Sequence, residues 1–360
     1  MQQNKRIKIL YFVPIDSTFI QKDVQLLRTK YDVKFFCLNQ GNKLKLPFQL
    51  LKQLWQCLFH VPKSDVVICQ FASYASLIPF VVGKLFRKPR LLIIAGMDAA
   101  SFPEINYGIF RRNKTMEWFA SKSILLANHI LPVHESLAFQ PYDYHQSGAP
   151  IQGFQYFVPG SKTIPFSPLY YSYDSNLFDF DRTIEREKLS FITIGNLSVK
   201  TTFVRKGFDL IIELAKLRPE LNFTLIGWDG KTKFDFPDNV TLLPFMSQAE
   251  IVKLLNRHQY YFQLSLMEGF PNALAEAMLC GCIPIGSNVS GIPYIIGDTG
   301  YVLKKHAVEE LNKLIDQVID QGYTPEDSDK ARNRVVTHFN DDEKMKVYQE
   351  IILKYIGTNE

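Results

Sequence analysis

Three features of this 360-residue chain predict an α/β architecture of two doubly wound domains facing a cleft. Short, continuous apolar runs alternate with amphipathic stretches in both halves, as parallel strands covered on both faces by helices do. The length exceeds one ordinary core and suits two. A stretch at 165–186, rich in Pro, Ser, Tyr and Asp and lacking a clear period, separates the two series.

In the first half, strands are predicted at 7–13, 33–38, 65–70, 91–95, 129–133 and 155–158, with helices at 18–29, 49–60 and 113–127 among them. Residues 66–83 carry no charge and nominally reach the spanning length, but Gln70, Ser73, Tyr74, Ser76 and Pro79 interrupt them. A buried strand, a turn and a core helix are predicted there instead of a membrane span. In the second half, strands are predicted at 190–195, 222–227, 240–244, 260–264 and 283–286, with helices at 207–217, 249–257 and 272–280. One last helical segment, 326–355, follows. These elements divide the chain into domains at 1–175 and 186–325, with 326–360 a helical segment that crosses back to the first.

Charge is uneven along the chain. Residues 1–180 hold 20 Lys and Arg against 11 Asp and Glu, whereas the second half is net acidic. A basic first half predicts an anionic partner there. Five cysteines (Cys37, Cys57, Cys69, Cys280, Cys282) are odd in number and widely spaced, so no disulfide framework is expected. Cys280-Gly-Cys282 lacks the spacer of a metal or redox pair, and buried free thiols in a reducing compartment are predicted. The start, MQQNKRIKILYFVP, has too short an apolar run for a signal peptide.

Residues 264–286 read LSLMEGFPNALAEAMLCGCIPIG. A strand ends near Ser265, a tight turn follows Glu268, and a helix starts at Asn272, a favourable N-cap. The free amides of Ala273 and Leu274 then face the cleft mouth, where a helix N-terminus attracts phosphate. Glu276 stands one turn into that helix, placed to accept hydrogen bonds from a vicinal diol such as a ribose, and Glu268 on the loop can hold a second polyol. Upstream, a strand ending in Gly195-Asn196 is followed by Arg205-Lys206-Gly207 and another helix. Adjacent cations there could neutralise a leaving diphosphate.

Glu268-x7-Glu276 with EGFPN, EAM and Gly-Cys-x-Pro resembles the signature of family-4 retaining glycosyltransferases, which have the GT-B fold of two Rossmann-like domains. The resemblance implies that Glu276 holds the nucleotide ribose and that Glu268 faces the donor sugar. The amides of Gly269 and Phe270 would then hold sugar hydroxyls, and Lys206, with Arg205, the diphosphate. The first domain would bind the acceptor and the second the nucleotide-sugar. Where many relatives carry Gly-Arg after the strand, this chain has Gly195-Asn196. The relatives' glycine-rich loop is Pro14-Ile-Asp-Ser-Thr-Phe here, and their His-Gly-x-Asp is Ala95-Gly96-Met97-Asp98. Gly96 and Asp98 remain as acceptor-side candidates, and His134 reads as structural.

The expected reaction is transfer of a sugar from a UDP- or GDP-linked donor to a glycan or lipid-linked acceptor with retention. By analogy it belongs to bacterial surface polysaccharide assembly. No cofactor and no metal are expected: Asp179-x-Asp181 and Asp327-x-Asp329 match a metal-diphosphate pattern, but neither follows an apolar strand. Dinucleotide and P-loop glycine motifs are missing, and no nucleic-acid module is visible. A non-catalytic GT-B relative and a sugar-nucleotide epimerase of the same architecture stay open. The helix at 49–60 carries Leu51, Leu54, Trp55, Leu58 and Phe59 on one stripe, which predicts packing on the sheet. Docking on a membrane stays open, because Lys43, Lys45, Arg87-Lys88-x-Arg90 and Arg111-Arg112 suit an anionic surface. The expected location is the cytoplasm, with peripheral attachment to the inner face of the membrane.

Overall fold

Strands form where uninterrupted β-branched and aromatic runs can be covered on both faces, and the chain supplies such runs in two series. The computed structural model describes residues 6–38, 45–111, 113–231 and 236–357. The first series is β1 (Lys8–Val13), α1 (Thr18–Arg28), β2 (Asp32–Cys37), α2 (Leu46–His60), β3 (Val66–Gln70), α3 (Tyr74–Leu85), β4 (Arg90–Ile94), α4 (Lys114–Leu126) and β5 (His129–Pro132). Its strands form a parallel sheet in the order β2-β1-β3-β4-β5. A two-stranded antiparallel pair, β6 (Gln140–Pro141) and β7 (Ile151–Gln152), and the short helix α5 (Phe154–Phe157) complete this half.

The second series is β8 (Glu187–Ile194), α6 (Lys200–Arg205), α7 (Phe208–Leu217), β9 (Asn222–Trp228), β10 (Val240–Pro244), α8 (Gln248–Arg257), β11 (His258–Gln263), α9 (Asn272–Leu279), β12 (Ile283–Ser287), α10 (Ile292–Ile296), β13 (Tyr301–Leu303) and α11 (Val308–Gln321). Its parallel sheet runs β10-β9-β8-β11-β12-β13. Strand order reverses between β1 and β3 in one sheet and between β8 and β11 in the other. In open α/β sheets the crevice at the carboxyl ends of such strands receives ligands.

Two helices close the chain, α12 (Pro325–His338) and α13 (Asp341–Ile356), where the sequence predicts one. Asn340 breaks the run because its Oδ1 accepts from the Glu343 N–H, the arrangement of a helix cap. α12 packs against α9, whereas α13 lies against α1. Lys344 on α13 forms a buried ion pair with Asp23 on α1, and the Tyr355 hydroxyl donates to the Asn128 carbonyl at 2.8 Å.

Several expectations are corrected. Residues 155–158 are not a strand: Gly153, at φ +115°, starts helix α5, and the sheet edge beside β5 is occupied by the Ile130–Phe166 bridge. The stretch 165–186, which separates the two series, is bonded to β5 at its start, where the Ser167 and Leu169 amides donate to Ile130 and Pro132. The amphipathic helix α11 and strand β13 have no counterpart among the elements predicted from sequence. Cys57, Cys69, Cys280 and Cys282 are buried free thiols, but Cys37 is exposed.

Helix α2 departs furthest from expectation. It turns Gln53 and Cys57 inward and leaves Phe48, Leu51, Leu54, Trp55, Leu58 and Phe59 exposed. A stripe of five apolar residues could not reveal this, because Gln53 is drawn inward by the Ala75 carbonyl, to which it donates at 2.9 Å. Lys43 and Arg112 lie outside the described residues. Among the described residues no helix is long and apolar enough to cross a membrane.

Candidate functional site

The loop after β11 and the amino end of α9 form the floor of the interdomain cleft. α9 is apolar nearly all round and buries Leu274, Ala275, Ala277, Met278 and Leu279. That sequence can only be a core helix, so its amino end is rigidly placed. Pro271, not Asn272, occupies the cap position, and among the described residues no side chain caps this end. Asn272 is the first helical residue, and its Oδ1 accepts from the Tyr173 hydroxyl at 3.1 Å. The first-turn amides, those of Ala273 and Leu274 among them, therefore have no side-chain cap and are available to an anion.

Arg205 and Lys206 meet Glu268 because of one glycine. Gly207 has φ +76°, and a Cβ there would stand 2.3 Å from the Leu264 carbonyl oxygen. Only a glycine permits the start of α7 to cross so closely over the end of β11. The result places Lys206 Nζ 2.7 Å and Arg205 Nη1 3.0 Å from Glu268 Oε1. The Ser265 hydroxyl donates to the same oxygen at 3.1 Å. Burial pushes the Glu268 carboxyl up, but Lys206, Arg205 and the hydrogen bonds outweigh it and hold it down to about 2. The three contacts converge on Oε1, and Oε2 takes none of them. The Arg205 guanidinium also lies over the Tyr107 ring, 4.8 Å from its centroid.

Two adjoining cavities occupy the cleft. One, about 300 Å³, is lined by Lys206, Glu268, Gly269, Phe270, Asn272 and Ala273 on one side and Phe19, Phe71, Ala95 and Tyr171 on the other. The second, about 840 Å³, has Glu276 and Asn272 on one wall and residues of α1 on the other, with Tyr171 and Tyr173 between. Phe19, Tyr171 and Asn272 border both, so the two are joined. Burial raises the Glu276 carboxyl to about 7, with Lys22 across the cavity pulling it down.

The domains touch at this point. A Cβ on Gly269 would lie 2.0 Å from the Ala95 carbonyl oxygen, and one on Gly96, at φ +135°, would lie 3.0 Å from the Gly269 amide. Gly96 and Gly269 thus allow the two loops to abut. Tyr142 closes the same seam by donating to the Leu266 carbonyl at 2.9 Å.

Asp98 does not reach the cleft surface. It is fully buried, and its carboxylate accepts from the amides of Ala72, Ala95 and Gly96 at 3.0–3.1 Å. Burial raises it to about 6 against those three bonds. It shapes the Ala95–Gly96 loop rather than presenting an oxygen to an acceptor. Asn196 lies outside both cavities and makes a turn, its Oδ1 accepting from the Ser198 amide at 3.1 Å. Phe270 is buried, its ring packed against Tyr170 and Phe339. His134 is buried beside it, with Nδ1 2.8 Å from the Ser136 hydroxyl. Asp181 and Asp327 make turn and cap bonds, and Asp329 pairs with Arg182. Lys22, Asp23, Tyr171, Tyr173 and Lys344 line the larger cavity, and sequence reasoning misses all five. The aromatic density of 170–173, inside the stretch that separates the two series, is the one visible signal of Tyr171 and Tyr173.

Comparison with known proteins places the similarity mainly in the second half of the chain. Residues 182–335, which hold Arg205, Lys206, Glu268 and Glu276, match the family described as glycosyl transferases group 1. A human phosphatidylinositol N-acetylglucosaminyltransferase subunit is 29% identical over 130 residues, 32% of this chain and 27% of that protein. The chain thus matches about a third or less of the length of such curated relatives. Sucrose-phosphate synthase of Thermosynechococcus elongatus superposes with a TM-score of 0.69 at 13% identity, covering 97% of this chain and 100% of that one. HepE of Anabaena, solved in complex with UDP-glucose, gives 0.68 at 14% with the same coverage. The chain therefore has the GT-B fold, and its residues 182–335 match the glycosyl transferases group 1 family.

Proposed function

We propose that this chain is a retaining glycosyltransferase of the family-4 type that moves a sugar from a UDP- or GDP-linked donor to a glycan or lipid-linked acceptor. The observation that carries the reading is the convergence of Lys206, Arg205 and the uncapped amino end of α9 around Glu268, with Glu276 in the adjoining cavity. Glu276 accepts from the ribose hydroxyls. The α9 amides and Lys206 take the diphosphate, whose charge grows as the glycosidic bond breaks. Glu268, held ionised by its two cations, faces the sugar.

The acceptor hydroxyl attacks the anomeric carbon on the face the diphosphate leaves. The bond from that carbon to the phosphate oxygen breaks, its electron pair stays on that oxygen, and the oxygen takes the acceptor proton. No protein nucleophile and no metal take part. The abutting loops at Gly96 and Gly269 exclude water while this happens. The reaction serves bacterial surface polysaccharide assembly at the inner face of the cytoplasmic membrane. Similarity of residues 182–335 to glycosyltransferases supports the reading.

Thermal stability with UDP, GDP, ADP and CMP tests it, run beside Glu276→Ala. A nucleotide at 100 times its dissociation constant stabilises by about 2.7 kcal/mol. One nucleotide should shift the native chain and not the variant, and its sugar conjugate should then label an acceptor. No shift with any nucleotide would overturn the proposal.

A further inference from the structure

The outer layer formed by α2, α3 and α4 has an inverted polarity that sugar transfer does not explain. Right-handed crossovers place these three helices on one face of the first sheet, and α2 packs on α3 as α3 packs on α4. On α2 the inward positions are Gln53, 3% exposed, and Cys57, whereas Phe48 is 77%, Trp55 68% and Phe59 62% exposed. The buried Oε1 atoms of Gln49 and Gln53 have no hydrogen-bond partner among the described residues. A helix packed for stability alone would turn the other way, burying its aromatics and leaving its glutamines in water. The apolar exposure continues on the same layer at Val81 and Leu85 of α3 and at Trp118 of α4.

Cations frame the α2–α3 part of this face and acids avoid it, the nearest acid on α4 being Glu117. Between positions 33 and 97 the sequence contains nine Lys and Arg and a single acid, Asp65. Asp65 is turned to the sheet, where it accepts from the Lys8 amide at 2.7 Å. Lys52, Lys63, Lys84 and Arg87 are exposed, and Lys63 Nζ stands 3.8 Å from the centroid of the Phe59 ring. Aromatic and leucine side chains outward with lysines at the rim are the pattern of a helix lying in a bilayer interface. A second copy of the chain is disfavoured as occupant, since a two-fold interface would set this cationic rim against itself.

We infer that the α2–α3 face is a docking surface for an anionic lipid bilayer, with Phe48, Trp55 and Phe59 inserted among the acyl chains and Lys52, Lys63 and Lys84 at the headgroups. This deepens the peripheral location proposed above by naming the surface. Its test reads vesicle binding and not sugar transfer, so the two readings fail separately.

The full chain is sedimented with vesicles of phosphatidylcholine alone and of phosphatidylcholine mixed with phosphatidylglycerol. The native chain should bind the mixed vesicles, bind the zwitterionic ones far more weakly, and be released at about 1 M salt, where the screening length falls to about 3 Å. Trp55→Ser with Phe59→Ser should lose about ten- to a hundredfold in partitioning while keeping the melting temperature and nucleotide response of the native chain. Lys52→Glu with Lys84→Glu keeps the apolar face intact and should lose the preference for the anionic vesicles. Absence of binding to the mixed vesicles overturns the inference, as does binding that the serine variant retains in full. A native dimer that the serine variant converts to monomer would assign the face to a second copy and overturn it as well.

Discussion

Replacing Glu276 by Gln should make the ligand-free protein more stable at pH 8 while weakening its grip on nucleotide. The carboxyl sits at the wall of the larger cavity, and burial raises its pKa from 4.5 to about 7, against the pull of Lys22. Below pH 4.5 it is protonated in folded and unfolded chains alike, and no penalty exists. Between 4.5 and about 7 the folded chain holds a proton that the unfolded chain has released, so stability falls by about 1.4 kcal/mol per pH unit as pH rises. Above about 7 the folded chain carries the full cost of a desolvated carboxylate, about 3 kcal/mol. A glutamine has the same shape and no charge to desolvate. Urea denaturation of both proteins from pH 4 to 8 should show coincident stability at the acid end and a gap opening to about 3 kcal/mol at pH 8. Nucleotide affinity of the native chain should rise over the same interval, because in the proposed function ribose hydroxyls donate to the ionised carboxylate. A constant difference between the two proteins at every pH, or a less stable Gln variant at pH 8, would refute the reasoning.

Three further outcomes are expected. Glu268→Ala should lower transfer by at least about a hundredfold with nucleotide affinity within a few-fold, read by steady-state kinetics beside calorimetry, because in the proposed function the lost carboxylate faces the sugar and not the nucleoside. Since Glu268 is held down to about 2, its contribution to stability is present above pH 4.5 and is lost only as pH falls through about 2; no limb of the native pH–rate profile between 4 and 9 should belong to it. Gly207→Ala puts a Cβ 2.3 Å from the Leu264 carbonyl oxygen at φ +76°, so denaturation should show a loss of about 1–3 kcal/mol and calorimetry a weakened diphosphate site, as Lys206 is displaced. Lys344→Met leaves the buried Asp23 carboxylate without its cation and should cost about 3–5 kcal/mol by the same denaturation, whereas replacing Lys344 and Asp23 together by Met and Leu should restore most of it.

By itself the sequence determined the alternation of strands and helices, the two-domain division and the loop–helix segment from 264 to 286. These depend on local matters: which runs are apolar enough to be covered on both faces, and where Gly and Pro allow a tight turn before a core helix. Glu268, Lys206 and Glu276 were legible for that reason: Glu268 in the turn before a core helix, Lys206 just before the glycine that opens α7, and Glu276 one turn into α9. Only the tertiary structure decided what those residues touch. Glu268 lies 62 positions from Lys206 in the chain, and no period or spacing reports that Gly207 lets them meet. Asp98 has the sequence context of an exposed sugar ligand, yet three backbone amides of neighbouring loops enclose it. Tyr171, Tyr173 and Lys344 reach the cleft from segments whose own sequences carry little signal of it. The face that α2 turns outward was equally hidden. Hydrophobic periodicity identifies a stripe, but burial is settled by which stripe finds partners, and the Ala75 carbonyl offered one to Gln53.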